Sequence, residues 1–156
     1  MAVAGQNLAD FVAAGGSVYS SDWAYWWIEA GWPDLVDFTG DDLVQLDAAN
    51  GLAQPYTFDV VDEDMRTVLG GEPTVQITYD LGSWITATAV GEDGTVLIEG
   101  EYTYYGSDYA YETARGPIAV MLHEDNGGTV VWTSFHNHAQ LTEDILAMLE
   151  HYVLSM

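Results

Sequence analysis

The chain lacks cysteine and lysine altogether, and both absences restrict what it does. Without cysteine there is no disulfide, no thiolate metal ligand and no cysteine nucleophile. Without lysine, permanent positive side-chain charge rests on Arg66 and Arg115, against 25 acidic residues, so the formal net charge is −23. Nucleic acids and anionic membranes both select cationic surfaces. The composition therefore predicts no nucleic-acid partner.

Long apolar runs are also missing. No stretch approaches the roughly 20 apolar residues that cross a bilayer, so we expect no membrane insertion. Residues 1–6 lack the basic start and apolar run of a signal peptide. Abundant Tyr, Trp, Thr and Gly without Lys or Cys favours an extracytoplasmic or secreted location, in which case the chain is a mature fragment or an excised domain. A halophilic cytoplasm is the alternative, because concentrated cations screen acidic self-repulsion.

The residues that are present suit one α/β domain over residues 1–156, since nearly half are hydrophobic. Gly15 and Gly16 separate a first helical stripe from a short strand, and a tryptophan-rich helix follows. Its tryptophans at helical spacing are interpreted as core rather than as a carbohydrate-stacking surface. The predicted early elements are a helix from Asn7, a strand over Ser17–Ser20, a helix capped by Asp22 with Trp23, Trp26 and Trp27, an irregular segment over 34–55, and a helix capped by Asp59.

The second half of the chain is predicted to be rich in strands. Apolar and polar residues alternate from Thr74, which is typical of a half-buried strand. Unbroken apolar runs near residues 118–122 and 130–132 indicate strands covered on both faces. The predicted elements are a strand over 74–81, a hairpin of 84–90 with 95–102, a surface loop over 102–115, a hairpin of 117–123 with 129–135, and a helix over 143–154 capped by Thr142.

Polar side chains follow two of the predicted strands. Ser20, Ser21 and Asp22 follow the first strand, and residues 134–138 follow the last. Parallel neighbouring strands would bring both segments to one sheet edge, where α/β proteins bind ligands. Ser21 would then form a nucleophile–base pair with His136 or His138, oriented by an acid. Alternatively, Asp22 caps a helix and the hydroxyls satisfy strand ends. The predicted ligand-contacting residues are Ser20, Asp22, Asn137 and His138.

Two further patterns suggest a cation. His136 and His138 share a face if the backbone is extended, and with Asp22 they would hold zinc or another divalent ion. The aspartates over residues 34–47 would bind calcium through carboxylates and carbonyls. The alternatives are a hydrogen-bonding histidine and a solvated acidic loop. No cofactor is required by the sequence, and calcium or another divalent cation is the candidate.

Two segments, residues 11–19 (FVAAGGSVY) and 130–137 (VVWTSFHN), carry a family resemblance. The first resembles the helix–Gly-Gly–strand step of class I glutamine-amidotransferase-like domains, particularly the trehalose-utilisation-like branch. The second is similar to that branch's late strand followed by a histidine. The resemblance implies a flavodoxin-like, mostly parallel sheet flanked by helices, with Ser21 at the nucleophile elbow and His136 as the histidine. The strands over 74–102 add an antiparallel hairpin layer.

The chain departs from that family in two respects. It has no cysteine nucleophile, and the usual first strand is missing before the glycine pair. We therefore expect a non-catalytic binding or assembly module that associates through the uncovered sheet edge, as a homo-oligomer or with a protein partner. The alternatives are a serine hydrolase that uses Ser21 and His136, or a calcium- or metal-dependent carbohydrate binder.

Overall fold

The computed structural model describes residues 2–40, 47–106, 110–125, 127–136 and 140–155. Helices lie at both ends of this described part, and strands dominate the middle. The elements in chain order are α1 (Ala2–Ala13), β1 (Ser17–Ser21), a 3₁₀ turn (Asp22–Ala24), α2 (Tyr25–Gly31), β2 (Val36–Phe38), β3 (Asn50–Gly51), β4 (Pro55–Val60), α3 (Glu63–Val68), β5 (Thr74–Thr78), β6 (Trp84–Ile85), β7 (Ala87–Val90), β8 (Thr95–Tyr105), β9 (Tyr111–His123), β10 (Thr129–Thr133) and α4 (Glu143–Ser155).

The described strands form one large branched sheet and one small sheet. The eight-stranded sheet has the order β1-β10-β9-β8-β3-β6, with β4 joined to β8 and β5 joined to β4. β2 and β7 form the small sheet. β1 and β10 pair in parallel, with Ser17 opposite Thr129 and Ser21 opposite Thr133. The prediction that these two strands are parallel neighbours is confirmed.

The flavodoxin-like fold prediction is wrong, because the large sheet is mostly antiparallel. Among the described strands, only β1 and β10 pair in parallel. Parallel neighbours need long crossover connections, whereas hairpins join antiparallel strands directly. Here β4 and β5, β8 and β9, and β9 and β10 are neighbours both in the chain and in the sheet. The connections therefore determine an antiparallel architecture around one parallel pair.

The β8–β9 hairpin is the largest single departure from the sequence-based elements. The segment predicted to be a surface loop, residues 102–115, contains the end of β8 and the start of β9. The predicted hairpin of residues 84–90 with 95–102 is also wrong, since β7 pairs with β2 and β8 pairs with β9. A Cβ atom at Gly116 of β9 would lie 1.9 Å from the carbonyl oxygen of Ala87. The missing side chain therefore lets β7 cross the face of β9.

Two apolar clusters cover the two faces of the central strands. Val131 of β10 packs with Ile145 and Tyr152 of α4. Its neighbours in the strand, Val130 and Trp132, belong to a second cluster with α1, α2, β2 and β7. All five residues of β10 are buried, so the prediction of a strand covered on both faces is confirmed.

Some of the residues that begin or end the helices were predicted correctly, and others were not. Gly15 ends α1 with a left-handed φ of 94°, as the glycine pair predicted. Thr142 accepts a hydrogen bond from the backbone nitrogen of Ile145, at 3.2 Å, and so caps α4 as predicted. Asp59 does not cap a helix, because it lies in β4. The cap of α3 is Asp62, which accepts from the backbone nitrogen of Met65 at 2.7 Å.

Among the described strands, β1 lies at one end of the main strand order and pairs only with β10. Association through this edge stays a prediction, as does the organisation of residues 1–156 as one domain. None of the helices in the described part of the chain combines the length and apolar character that crossing a lipid bilayer requires.

Candidate functional site

The parallel pairing of β1 and β10 brings the polar segments that follow them to one sheet edge. Ser21 is the last residue of β1 and stands opposite Thr133, the last residue of β10. The segments that begin at Asp22 and at Ser134 therefore leave the sheet side by side. This is the convergence that the sequence predicted, although the rest of the sheet is antiparallel.

Asp22 is the buried centre of this edge. Its Oδ1 accepts a hydrogen bond from the backbone nitrogen of Ile85 at 2.7 Å, and its Oδ2 lies 2.7 Å from Nε2 of His136. The side chain is 5% exposed. Asp22 also adopts a left-handed φ of 44°, which aspartate tolerates better than most residues. Both carboxylate oxygens are therefore committed to partners from distant parts of the chain.

The interpretation of Asp22 as a helix cap is wrong. Asp22 is the first residue of the 3₁₀ turn, and Ser21 occupies the cap position without a side-chain capping bond. The left-handed backbone at Asp22 accompanies a carboxylate that bonds the main chain of β6 and the imidazole of His136. Strained backbone at a buried polar group is a feature of functional sites.

Burial raises the pKa of Asp22 to about 6, from an ordinary value of 3.8. The backbone N–H of Ile85 and the nearby His136 imidazole act in the opposite direction, because both stabilise the carboxylate. The desolvation effect is the larger one, as expected for a carboxyl group held away from water. The carboxyl group therefore changes protonation state close to neutral pH.

His136 is held by Gln140. The backbone nitrogen of His136 donates to Oε1 of Gln140 at 2.7 Å, and Nε2 of Gln140 donates to Oδ1 of Asp80 at 3.3 Å. The backbone nitrogen of Gln140 donates in turn to the carbonyl oxygen of His136 at 3.2 Å. The imidazole is 39% exposed. Of its two ring nitrogens, only Nε2 has a partner among the described residues. The arrangement fixes the ring through its buried nitrogen while the ring remains accessible.

Two pairs of hydroxyl groups form hydrogen bonds at the ends of β1 and β10. The hydroxyls of Ser134 and Tyr79 lie 2.5 Å apart in the core, and those of Thr133 and Tyr19 lie 2.8 Å apart. Desolvation raises the pKa of Tyr79 well above its ordinary value, so its hydroxyl stays protonated. These hydrogen bonds therefore hold the ends of the two strands after which Asp22 and His136 follow.

Trp23 lies next to Asp22 in the chain and bridges to the loop before β6. Its indole nitrogen donates to the carbonyl oxygen of Ser83 at 2.6 Å. The residue is 37% exposed, so the interpretation of Trp23 as core is wrong. Trp26 and Trp27 are partly buried, and their rings stack 3.9 Å apart.

The predicted serine residues have different environments. Ser20 is buried, and its hydroxyl donates to the carbonyl oxygen of Ala24 at 2.9 Å. Ser21 is half-buried, and among the described residues its hydroxyl forms no hydrogen bond, including none with His136. The residue that contacts His136 is Asp22, one position further along the chain. A catalytic role for Ser21 stays a prediction.

Two residues of the predicted site, Asn137 and His138, lie outside the described residues. The predicted metal site of Asp22, His136 and His138 therefore stays a prediction. Within the described ranges, no group of three or more His, Asp or Glu side chains is placed to hold a metal ion. The calcium prediction for residues 34–47 also includes Asp41 and Asp42, which fall in the undescribed 41–46 segment.

The fold and site define a mixed α/β protein with a buried carboxylate–imidazole pair at the edge of its one described parallel strand pair. Comparison with protein-family models finds no match for the chain, and comparison with curated proteins finds none either. The resemblance to amidotransferase-like domains therefore stays a prediction, and the parallel sheet that it implied is not the sheet observed.

Sequence reasoning missed the residues that hold the pair in place. Ile85 contributes a backbone N–H, which no side-chain pattern reveals. Gln140 and Asp80 are 60 residues apart in the chain, so no local motif joins them. Gln140 follows His136 by only four residues, so it was the one partner within the range of a local sequence pattern.

Proposed function

We propose that the protein is a non-catalytic binding module whose ligand contacts His136 at the carboxyl edge of β1 and β10. The observation that supports this proposal is the 2.7 Å contact between Asp22 and a half-exposed imidazole. A buried carboxylate fixes the orientation of the ring, and the exposed part of the ring offers a polar surface to a ligand. Preorganised polar groups of this kind give binding sites their specificity.

The arrangement of the hydroxyls favours binding over nucleophilic catalysis. A serine nucleophile needs a base within hydrogen-bond reach. In the described part of the chain the Ser21 hydroxyl forms no hydrogen bond, and the Ser20 hydroxyl donates to a main-chain carbonyl. Nε2 of His136 is already within 2.7 Å of Asp22. The parts of a serine–histidine pair are therefore present in the sequence without being joined.

Charge favours a neutral or cationic ligand. Nη2 of Arg66 donates to the carbonyl oxygen of Val60, and Nη2 of Arg115 contacts Asp59 and Glu99. Both guanidiniums are thus engaged on other elements, and the chain has no lysine. Phosphate and carboxylate groups are recognised chiefly by arginine and lysine. An anionic ligand would meet the carboxylates of Asp22 and Asp80 instead.

A matched series of small compounds tests this proposal. Butylamine, butyramide and butyrate share a carbon chain and differ in the charge of the head group. We expect the histidine-ring NMR signals of His136 to shift with butylamine or butyramide and not with butyrate, while those of His151 on α4 stay unchanged. His136→Gln identifies the signals, and His151→Gln is the matched control.

Equal shifts at both histidines, or a response to butyrate alone, would show that His136 is not the ligand contact. The titration is run at 0.15 M and 1 M sodium chloride. A response that disappears in 1 M salt reports general attraction to the acidic surface rather than a site.

Acid–base catalysis is the second candidate, favoured by the order of groups at the pair. A buried carboxylate behind an accessible imidazole is the arrangement in which histidine moves protons. A water molecule, rather than Ser21, would then be the nucleophile. Ester, amide and glycoside substrates are screened with the wild type, His136→Gln and Ser21→Ala.

Turnover that is lost in His136→Gln and retained in Ser21→Ala would support water activation by the pair. Turnover that is lost in Ser21→Ala would support the serine hydrolase instead. A lack of turnover in all three proteins, together with ligand-dependent shifts of His136, is the result expected of a binding module.

A further inference from the structure

The β8–β9 hairpin presents a pair of exposed tyrosines that are not part of the Asp22–His136 pair. Tyr105 and Tyr111 are register partners across the two strands. Their ring centroids lie 5.4 Å apart at an angle of 50°. Tyr111 is 68% exposed and Tyr105 is 39% exposed. Two aromatic rings thus stand side by side on the solvent face of the sheet.

Two threonines place hydroxyl groups on the same face of the hairpin. Thr103 is the register partner of Thr113, and residues two apart in a strand share a face. We call Tyr105, Tyr111, Thr103 and Thr113 the tyrosine platform. The neighbouring Tyr104 belongs to the opposite face, where its hydroxyl donates to Glu112 at 2.7 Å. The platform therefore combines flat apolar rings with groups that both donate and accept hydrogen bonds.

The arginine nearest to the platform in the strand register already contacts two carboxylates. Arg115 is the register partner of Glu101, one further step along the hairpin from Thr103 and Thr113. Its guanidinium contacts the carboxylates of Asp59 and Glu99. The platform therefore offers no free positive charge to a phosphate, sulfate or carboxylate group. This excludes nucleic acids and anionic polysaccharides as the favoured occupant.

We propose that the tyrosine platform binds the sugar rings of a neutral polysaccharide. Tyrosine has an apolar ring body and a polar tip, so its face packs against the C–H groups of a sugar while its hydroxyl reaches the sugar hydroxyls. The threonine pair supplies further donors and acceptors along the same direction. This site uses none of the residues assigned to the proposed ligand contact at His136. A negative result for one proposal therefore does not affect the other.

Affinity electrophoresis tests the proposal directly. The full chain is run through native gels that contain soluble starch, xyloglucan, galactomannan or dextran. We expect at least one of these neutral polymers to retard the wild type, and Tyr111→Thr to weaken the apparent affinity at least tenfold. Tyr111→Phe keeps the ring and is expected to retain most of the affinity. Phe11→Ala removes an exposed ring from α1 and is expected to behave as the wild type.

A second measurement does not depend on whether Tyr111→Thr folds. Wild-type protein is treated with tetranitromethane with and without the retarding polymer, and nitrated tyrosines are mapped by mass spectrometry. We expect the polymer to protect Tyr105 and Tyr111 several-fold and to leave the nitration of the half-buried Tyr104, which belongs to the opposite face, unchanged.

Three results would overturn the proposal. The first is that none of the four neutral polymers retards the wild type. The second is that Tyr111→Thr, with an unchanged melting temperature, is retarded as strongly as the wild type. The third is that retardation by the neutral polymers disappears in 1 M sodium chloride, which would show that it depends on surface charge rather than on contact with the tyrosine rings.

Discussion

At the scale of single residues, Asp22 combines two unfavourable features that its hydrogen bonds must offset. It is a buried carboxylate with a left-handed backbone, and it joins β6 to the segment that follows β10. Left-handed backbone in a residue other than glycine costs on the order of 1 kcal/mol. A desolvated carboxylate is also unfavourable unless it is paired. The two hydrogen bonds offset these costs, and the raised pKa of Asp22 shows that the offset is incomplete.

The first prediction concerns the pH dependence of stability at Asp22. Its pKa is raised from 3.8 to about 6 in the folded chain, so the folded state binds this proton more tightly than the unfolded state does. Its contribution to stability is therefore fully present below about pH 4 and is lost as the pH rises through about 6. Asp22→Asn keeps an oxygen for the N–H of Ile85 and removes the titration.

Urea unfolding of the wild type and Asp22→Asn between pH 4 and 7.5 measures this effect. We expect the free energy of unfolding of the wild type to fall relative to that of Asp22→Asn by on the order of 2 kcal/mol across this interval. Asp10→Asn removes an exposed carboxylate from α1 and is the control. A constant difference between the wild type and Asp22→Asn would contradict the assignment of a raised pKa.

At the scale of elements, the start of α3 shows how a nearby acid substitutes for the predicted cap. Asp59 and Asp62 are both aspartates at the junction of β4 and α3. Asp62 caps the helix through the backbone nitrogen of Met65. Asp59, in β4, instead pairs with Arg115 where both side chains are half exposed. Capping bonds contribute more to stability than exposed ion pairs do.

The second prediction compares these two positions. Asp62→Ala should lower the free energy of unfolding by about 1 kcal/mol, because the helix loses its cap. Asp59→Ala should lower it by less than about half of that, because exposed ion pairs contribute little. Each substitution removes one negative charge, so the comparison cancels the general effect of net charge. Equal losses in chemical unfolding at pH 7 would contradict the assignment of the cap.

At the scale of the whole molecule, the main electrostatic feature is the large excess of acidic over basic side chains. Of the 25 acidic residues, only Asp59 and Glu99 contact a guanidinium in the described part of the chain. Arg66 bonds a main-chain carbonyl instead of a carboxylate. Most of the acidic surface therefore repels itself, and this repulsion opposes the compact state. A salt-rich or extracytoplasmic setting stays a prediction, and its physical basis is this imbalance.

The third prediction is that cations raise the melting temperature. The screening length falls from about 10 Å at 0.1 M salt to about 3 Å at 1 M, so molar sodium chloride should remove much of the repulsion. Melting is compared in low-salt buffer with chelator, in 1 M sodium chloride and in millimolar calcium. A gradual rise with sodium indicates screening, whereas a rise that saturates in millimolar calcium indicates a bound ion.

Choline chloride at 1 M provides a control, since it supplies ionic strength without a metal ion. A melting temperature that changes in none of these solutions would mean that acidic repulsion does not limit stability. The salt-rich and calcium-rich settings would then lose their main support.

The sequence by itself determined the features that depend on neighbouring residues or on composition. Gly15 marked the end of α1, Thr142 marked the start of α4, and the apolar runs in β9 and β10 indicated burial on both faces. These signals are local, because helix caps and side-chain periodicity involve residues a few positions apart. The charge balance likewise followed directly from the absence of lysine.

Only the tertiary structure decided which distant segments pair. The direction of β8 and β9 depends on hydrogen bonds between strands, and alternating tyrosines and threonines near a glycine did not distinguish a strand from a loop. The role of Asp22 depends on an N–H donor 63 residues away and on His136 at the end of another strand. A helix cap and a carboxylate–imidazole contact use the same residue type, and the choice between them depends on the partners that the folded chain places beside it.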